Sequence, residues 1–308
     1  MRKVIVLFGP TASGKSSVAI ELAKKINGEI ISADSMQIYR GMEIGTAKVT
    51  PTEMQGIPHH LINIVDRSQN FNVADYKNLA TNAIRDIFAR GKIPIVCGGT
   101  GLYIDALIKN INFEVHTEHS ILREELIELH QKNGNAWLHD KLKEVDPVSA
   151  NLIHENNVKR VIRALEVSIK TGILFSEQKK IAIEKNSEFD FKLFGLRYPR
   201  NILYEKINIR VDQMFENGLL KEARDLYKHD LIETTTALQA IGYKECNDFF
   251  SGNKNLEEVI EKIKMETRRY AKRQITWFNR YLETIWIDCD ELSKKEISIK
   301  ISQFLSFD

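Results

Sequence analysis

Three cysteines in 308 residues, Cys97, Cys246 and Cys289, are too few and too scattered for a disulfide framework. They form no CxxC pair, which fits a reducing cytosol. Long apolar runs are missing too. No stretch approaches the roughly 18–20 residues that a membrane span needs. The run Val4–Phe8 behind Arg2 and Lys3 is too short for a signal peptide and breaks at once into Gly9-Pro10-Thr11. A cytoplasmic protein with no membrane partner is therefore expected. Net charge is equally scarce: 44 Lys and Arg against 42 Asp and Glu leave +2. Such a balance excludes a chain that binds polyanions with its whole surface, so any nucleic-acid affinity has to come from a local patch. What is present is apolar material, 43% of residues with 28% charged, which excludes a wholly disordered chain. The length suits one large domain or two smaller ones.

The first third alternates short apolar runs with helical patterns. Val4–Phe8, Glu29–Ala33 and Ile93–Cys97 read as buried strands, with helices at Ser13–Ile26, Asp75–Ala89 and from Leu102 onward. This rhythm predicts an α/β fold with a parallel sheet covered on both faces. From about Asn112 to Glu188 only helical patterns occur, at Ser120–Lys132, Ala136–Val145 and Val158–Thr171. Strand character resumes at Lys192–Arg197 and again at Thr284–Asp288. The expected organisation is an α/β core over 1–112, an all-helical insertion over 113–189, and the second part of the core over 190–308. Repeats are absent, which excludes a solenoid.

Gly9-Pro10-Thr11-Ala12-Ser13-Gly14-Lys15-Ser16 matches G-x-x-x-x-G-K-[ST] between a predicted strand and a predicted helix, the context the motif requires. Its glycines let the backbone turn several N–H groups inward, and the helix N-terminus adds a positive dipole end. Lys15 would reach the terminal phosphates, and the Ser16 hydroxyl would help hold Mg²⁺. The motif indicates a polyphosphate without saying which. A P-loop ATPase or GTPase carries a strand ending in Asp, whereas here Ile93–Cys97 runs into Gly98-Gly99-Thr100 and offers a hydroxyl. The acid that ends an early strand is Asp34. Parallel strands deliver their C-terminal ends to one crevice, so Asp34, Thr100 and the phosphate loop should converge. Asp34 is either a metal-organising acid or a base acting on a second substrate.

Basic residues concentrate at Arg268, Arg269, Lys272, Arg273 and Arg280, with no acid between Thr267 and Arg280. A helix there could track a phosphate backbone, or be a solvated face whose arginines pair with local acids. A smaller cluster, Lys159, Arg160 and Arg163, lies on the insertion. His59, His60, His116 and His119 lack a second cluster at ligand spacing and are expected to be structural or surface residues.

GPTASGKS at 9–16, ISADSMQIYRGMEIGTAK at 31–48, PHHL at 58–61, VCGGTGLY at 96–103, EVDP at 144–147, KRVIRALEV at 159–167, IGYKE at 241–245 and YAKRQITWF at 270–278 run in one order over nearly the whole chain. In these blocks the sequence resembles the tRNA dimethylallyltransferase family, bacterial type. The resemblance implies a P-loop NTPase-like core, a monomer, and Mg²⁺-dependent transfer of the dimethylallyl group of dimethylallyl diphosphate to N6 of the adenosine at tRNA position 37, beside the anticodon. It reassigns the nucleotide-type (ATP-type) loop: Gly9 to Ser16 would cradle a diphosphate leaving group, with Lys15, Asp34 and Thr100 as catalytic residues. Asp34 would engage the adenine N6. Contacts to the anticodon stem-loop of tRNA are implied for Asp34, Ser35, Met36, Gln37 and Thr100. They are implied also for Arg123, for Lys159, Arg160, Val161, Ile162 and Arg163, and for Gln239, Ala240, Ile241, Gly242, Tyr243 and Lys244. Gln239 and Lys244 depart from the arginines of many bacterial members. No counterpart of the zinc-finger extension of eukaryotic members is expected. Competing expectations are a small-molecule P-loop kinase using ATP, a non-catalytic tRNA-binding protein, and an enzyme that prenylates free adenylate.

Overall fold

Alternation along the first strand dictates the two faces of the sheet. In β1 (Arg2–Phe8), Val4, Val6 and Phe8 point to one side and Ile5 and Leu7 to the other, each fully buried. A strand buried on both faces has to lie inside a parallel sheet with helices above and below. The computed structural model, which describes residues 2–111, 121–177, 187–227 and 236–306, has this arrangement. Six strands, all pairings parallel, lie in the order β3-β2-β4-β1-β5-β6. The others are β2 (Gly28–Ser32), β3 (His59–His60), β4 (Ile93–Gly98), β5 (Phe189–Arg197) and β6 (Ile285–Asp288). Val6 stands opposite Val96 on β4 and Leu193 on β5.

The helices follow from the same pattern. On the face of Ile5 and Leu7 packs α1 (Lys15–Ile26), through Val18, Ala19, Leu22 and Ala23. A short helix, α2 (Pro51–Met54), follows in the chain. The opposite face is covered by α3 (Val73–Ala89) and α4 (Gly101–Ile108), through Tyr76, Ala80, Ile84, Tyr103 and Ile104. The expected parallel α/β core is borne out. Helix α1 starts two residues later than its periodicity suggests, because Ala12 (φ 62°) and Gly14 (φ 78°) are left-handed and hold the preceding loop out of the helix. Strand β3 was not foreseen, since two residues are too few to show a period.

The chain divides into two compact units, Met1–Ile108 with Glu188–Asp308, and Lys109–Ser187. The boundary expected between 112 and 113 falls outside the described residues, as do His116 and His119. In the second unit α5 (Ile121–Val145), α6 (Pro147–Leu152) and α7 (Val158–Thr171) enclose Leu126, Leu138, Leu142, Val161 and Leu165. Helix α5 breaks at Gly134 (φ 84°), between the two segments that the sequence marked as separate helices. Asp146 of EVDP is fully buried and accepts the backbone N–H and hydroxyl of both Ser149 and Ser176 at 2.6–3.0 Å, so it fastens α6 to the segment after α7.

The first unit continues with α8 (Arg200–Glu216), α9 (Leu219–Tyr227), α10 (Tyr243–Phe250), α11 (Leu256–Phe278) and α12 (Lys294–Ser306). Helices α8 to α11 share an apolar cluster with Ile38, Tyr39 and Met42. Phe278 at the end of α11 stacks on Phe8 at 4.5 Å, which ties the basic helix to the strand that feeds the phosphate loop.

Glu29 on β2 carries a separate prediction. Its carboxylate is buried among Lys92 Nζ (2.7 Å), His60 Nε2 (2.7 Å) and Arg90 Nη2 (2.5 Å). Burial alone would raise its pKa, but the bonds from Lys92, His60 and Arg90 bring it down to about 2. A depressed carboxyl contributes stability above its unfolded value, about 4.3, and loses it as pH falls toward 2. Glu29→Gln is expected to cost about 2 kcal/mol at pH 7, measured by urea unfolding, and to flatten the stability profile between pH 4.5 and 2.

Candidate active site

The loop after β1 is shaped by its own backbone. Gly9 lies so close to Leu196 of β5 that a Cβ would stand 2.8 Å from the Leu196 carbonyl oxygen. Lys15 Nζ donates to the Pro10 carbonyl at 2.7 Å. Burial brings the Lys15 pKa down to about 8, Arg210 pushes it the same way, and Cys97 and Asp34 oppose. A cation held with so little compensation is a strong anion site.

The loop opens into a cleft of about 1590 Å³. Of the residues singled out from the sequence, Thr11, Ala12, Gly14, Lys15, Ser16, Asp34, Ser35, Met36, Gln37, Gln239, Ala240, Ile241 and Gly242 line it. The expected meeting of Asp34 with the phosphate loop is therefore present. Asp34 follows the C-terminal end of β2, where Oδ1 accepts the N–H groups of Met36 (2.9 Å) and Gln37 (3.3 Å). That turn holds the carboxylate in one orientation and leaves Oδ2 for a ligand. Gln37, nearly buried, donates through Nε2 to the Thr46 carbonyl at 3.3 Å.

Several residues take positions that differ from the expectation. Gly9, Pro10 and Ser13 form the back of the loop, outside the cleft lining. Thr100 does not line the cleft either: its Oγ1 accepts the Ser35 N–H at 3.0 Å and contacts Ser35 Oγ at 3.3 Å, so it positions the Asp34 segment. Tyr243 is fully buried, and its hydroxyl donates to Glu222 at 2.6 Å. Lys244 is exposed at the start of α10, outside the lining. In the helical unit Val161 and Ile162 are core residues, whereas Lys159 and Arg160 are exposed and have no ion-pair partner among the described residues. Arg123 and Arg163 both reach buried Glu166, at 3.4 and 3.2 Å. Their charges are partly neutralised already.

Other residues that the sequence did not mark line or brace the cleft. Glu222 on α9 accepts the N–H groups of Glu43, Ile44 and Gly45 at 2.9–3.0 Å. The Tyr243 ring presses against Gly45, where a Cβ would lie 2.5 Å from it. Together they fix one wall of the cleft. Arg210 of α8 lines the cleft too, and its buried Nε has no hydrogen-bond partner among the described residues. Burial lowers the Arg210 pKa while the Asp34 charge opposes that change. From α11 come Tyr270, Arg273 and Gln274. Burial raises the Tyr270 hydroxyl to about 12, with the Asp34 charge adding to it. Tyr270 and Gln274 stand inside the block YAKRQITWF, whose basic residues drew attention instead. Arg210 sits in a mixed helix with no local signal. The basic helix itself is divided: Arg269 pairs with Glu266 and Arg268 bonds Asn208, whereas Arg273 faces the cleft. Cys97 is buried beside Lys15, and burial drives its thiol to about 12, so it stays protonated at neutral pH.

Among the described residues no three His, Cys, Asp or Glu side chains gather as a metal cage, and no helix is long and apolar enough to cross a membrane. The cleft combines an anion cradle, the cations Lys15 and Arg210, and the carboxylate of Asp34 beyond the end of β2. That set can stabilise a leaving phosphate while a base works beside it.

The IPP transferase family model matches residues 37–281. The tRNA dimethylallyltransferase of Caldanaerobacter subterraneus is 47% identical over 307 residues, covering 99% of this chain and 98% of that protein. That of Halalkalibacterium halodurans is 46% identical over 304 residues, covering 99% and 96%. Among solved structures, the tRNA isopentenylpyrophosphate transferase of Bacillus halodurans superposes with TM-score 0.75 at 44% identity, covering all of this chain and 96% of that one. A eukaryotic dimethylallyltransferase acting on tRNA gives TM-score 0.85 at 34% identity, covering all of this chain and 80% of that one. The kinase alternative finds no support among these relatives. With the phosphate loop, the carboxylate beside it and likeness of this extent along the whole length, the chain belongs to the tRNA dimethylallyltransferase family.

Proposed function

We propose that the protein transfers the dimethylallyl group of dimethylallyl diphosphate to N6 of the adenosine at tRNA position 37, releasing diphosphate. The observation that carries this reading is Asp34, a carboxylate fixed at a strand end in the same cleft as an intact phosphate loop. The adenine N6 amine is a poor nucleophile because its lone pair is delocalised into the ring. Asp34 Oδ2 accepts the N6 proton as the C–N bond forms and the C–O bond to diphosphate breaks. Lys15 and the inward N–H groups of the loop, with Arg210 across the cleft, balance the charge gathering on the leaving group.

The donor set suits Mg²⁺. The Ser16 hydroxyl, an oxygen donor in the cleft lining next to Lys15, would help hold it. The ion would add positive charge beside the diphosphate. The target base has to leave its stack to reach the cleft, which anticodon-loop nucleotides do at low cost. Exposed Lys159 and Arg160 supply positive charge for the tRNA backbone.

The test is incubation with unmodified tRNA, Mg²⁺ and dimethylallyl diphosphate, followed by nuclease digestion and mass spectrometry. One added isoprene unit on the adenosine beside the anticodon is expected. Unmodified tRNA, or prenylation of free adenylate instead, would overturn the reading.

A further inference from the structure

We infer that Gln274 is a positioning residue that sets the leaving-group loop and the proton-accepting segment in one fixed geometry. The inference rests on the prenyl-transfer reading above and adds a residue that touches no substrate in that scheme.

Gln274 occupies a place where an apolar residue is expected. On α11 the buried positions include Val259, Ile263, Ala271, Gln274 and Phe278, a stripe at helical spacing in which Gln274 alone is polar. Only 6% of its surface is exposed. A buried amide must be hydrogen-bonded, and here both ends are. Oε1 accepts the Thr11 N–H of the phosphate loop at 2.8 Å. Nε2 donates to the Gly99 carbonyl, in the loop after β4, at 2.9 Å. The two partners leave no choice of amide orientation, because a backbone N–H can only donate and a carbonyl can only accept. Room for the amide is made by Gly99, where a Cβ would collide with Nε2.

The connection continues from there toward Asp34. Thr100, next in the chain, donates its N–H to the Ala33 carbonyl at 3.0 Å and accepts the Ser35 N–H on Oγ1 at 3.0 Å. Those two residues flank Asp34. A single side chain thus joins the loop that cradles diphosphate to the segment that carries the base, across sequence separations of 263 and 175 residues. One turn further along the helix, Phe278 stacked on Phe8 keeps α11 against the sheet, so the amide is braced from behind. It also uses up the Thr11 N–H, which leaves phosphate recognition to the remaining N–H groups of the loop and to Lys15.

Only a neutral amide meets both demands. Glutamate at 274 would still accept from Thr11 but would set a carboxylate against the Gly99 carbonyl and add negative charge near the diphosphate. Methionine has a similar shape and neither bond.

The experiment measures steady-state and single-turnover prenylation of a tRNA transcript by wild type, Gln274→Met and Gln274→Glu, with melting temperature recorded for each. Gln274→Met is expected to lower the single-turnover rate by about 10²-fold, as displacement of reacting groups by about 1 Å does. Its KM for dimethylallyl diphosphate and its tRNA affinity should change little. Gln274→Glu should show the same rate loss and a raised KM for dimethylallyl diphosphate. A folded Gln274→Met enzyme with the wild-type rate would overturn the inference, as would a loss confined to KM. A fall in rate that vanishes once the fraction folded is corrected for would overturn it too. Absence of prenylation by the wild type would instead refute the underlying function.

Discussion

Exchange of Asp34 for Asn is expected to slow prenyl transfer by roughly 10²–10⁴-fold while leaving tRNA binding intact. The substitution is informative because the amide keeps what the fold needs. Oδ1 still accepts from the N–H groups of Met36 and Gln37, so the turn after β2 persists, and Thr100 still holds Ser35. What is lost is a basic oxygen facing the cleft. The measurement is single-turnover transfer of labelled dimethylallyl to tRNA, with tRNA affinity followed by filter binding in parallel. A variant with the wild-type rate would remove Asp34 from the base role. Full loss of tRNA binding would instead make it a contact residue.

Lys15→Ala is expected to reduce kcat/KM for dimethylallyl diphosphate by about 10²–10³-fold, the effect of deleting one donor from a preorganised charge-stabilising site. Its pH dependence is the sharper signature. Burial brings the Lys15 pKa down to about 8, so the unliganded protein loses this cation as pH rises through 8. The profile of kcat/KM, which reports the free enzyme, should therefore fall on its alkaline side with an apparent pKa near 8. Bound diphosphate favours the charged amine, so the corresponding limb of kcat should move to higher pH. In Lys15→Ala the alkaline limb should vanish. The linked effect on stability has the same sign as that of Glu29 but falls in an alkaline window. Because the folded value lies below the unfolded one, about 10.4, this group adds stability as pH rises from 8 toward that value. An alkaline limb that survives in Lys15→Ala would show that some other group titrates.

How much of this was legible in advance depended on the range of the interaction. The phosphate loop could be read because the chemistry of its turn is local: Gly9 and Gly14 supply conformations that the neighbouring residues disfavour, and strand and helix flank them directly. Strands β1, β2 and β4 and helices α1, α3 and α7 were visible for the same reason, since their apolar positions repeat at short spacing. Even the break in α5 at Gly134 falls between the segments Ser120–Lys132 and Ala136–Val145 read as separate helices. Charge counting was less reliable. Arg123 and Arg163 look like free cations in the sequence, yet Glu166 engages both in the folded insertion. Val161 and Ile162 share a basic block with Lys159 and Arg160 and are nevertheless core residues, because a helix sends neighbours in sequence to different faces.

The sequence by itself determined the parallel α/β core, the phosphate cradle at the end of β1, and the acid at the end of β2 that had to meet it. Each of these follows from periodicity and from strand ends sharing one edge. Only the tertiary structure decided how the cleft is walled and braced. Glu222 gathers the N–H groups of residues 43–45 from 177–179 positions away. Arg210 reaches the cleft from α8, and Gln274 joins two loops that are distant in the chain. The physical reason is that a buried polar group needs a partner but takes it from wherever packing places one. No local pattern names that partner, and a polar residue in an apolar stripe, as at Gln274, is the only trace it leaves in the sequence.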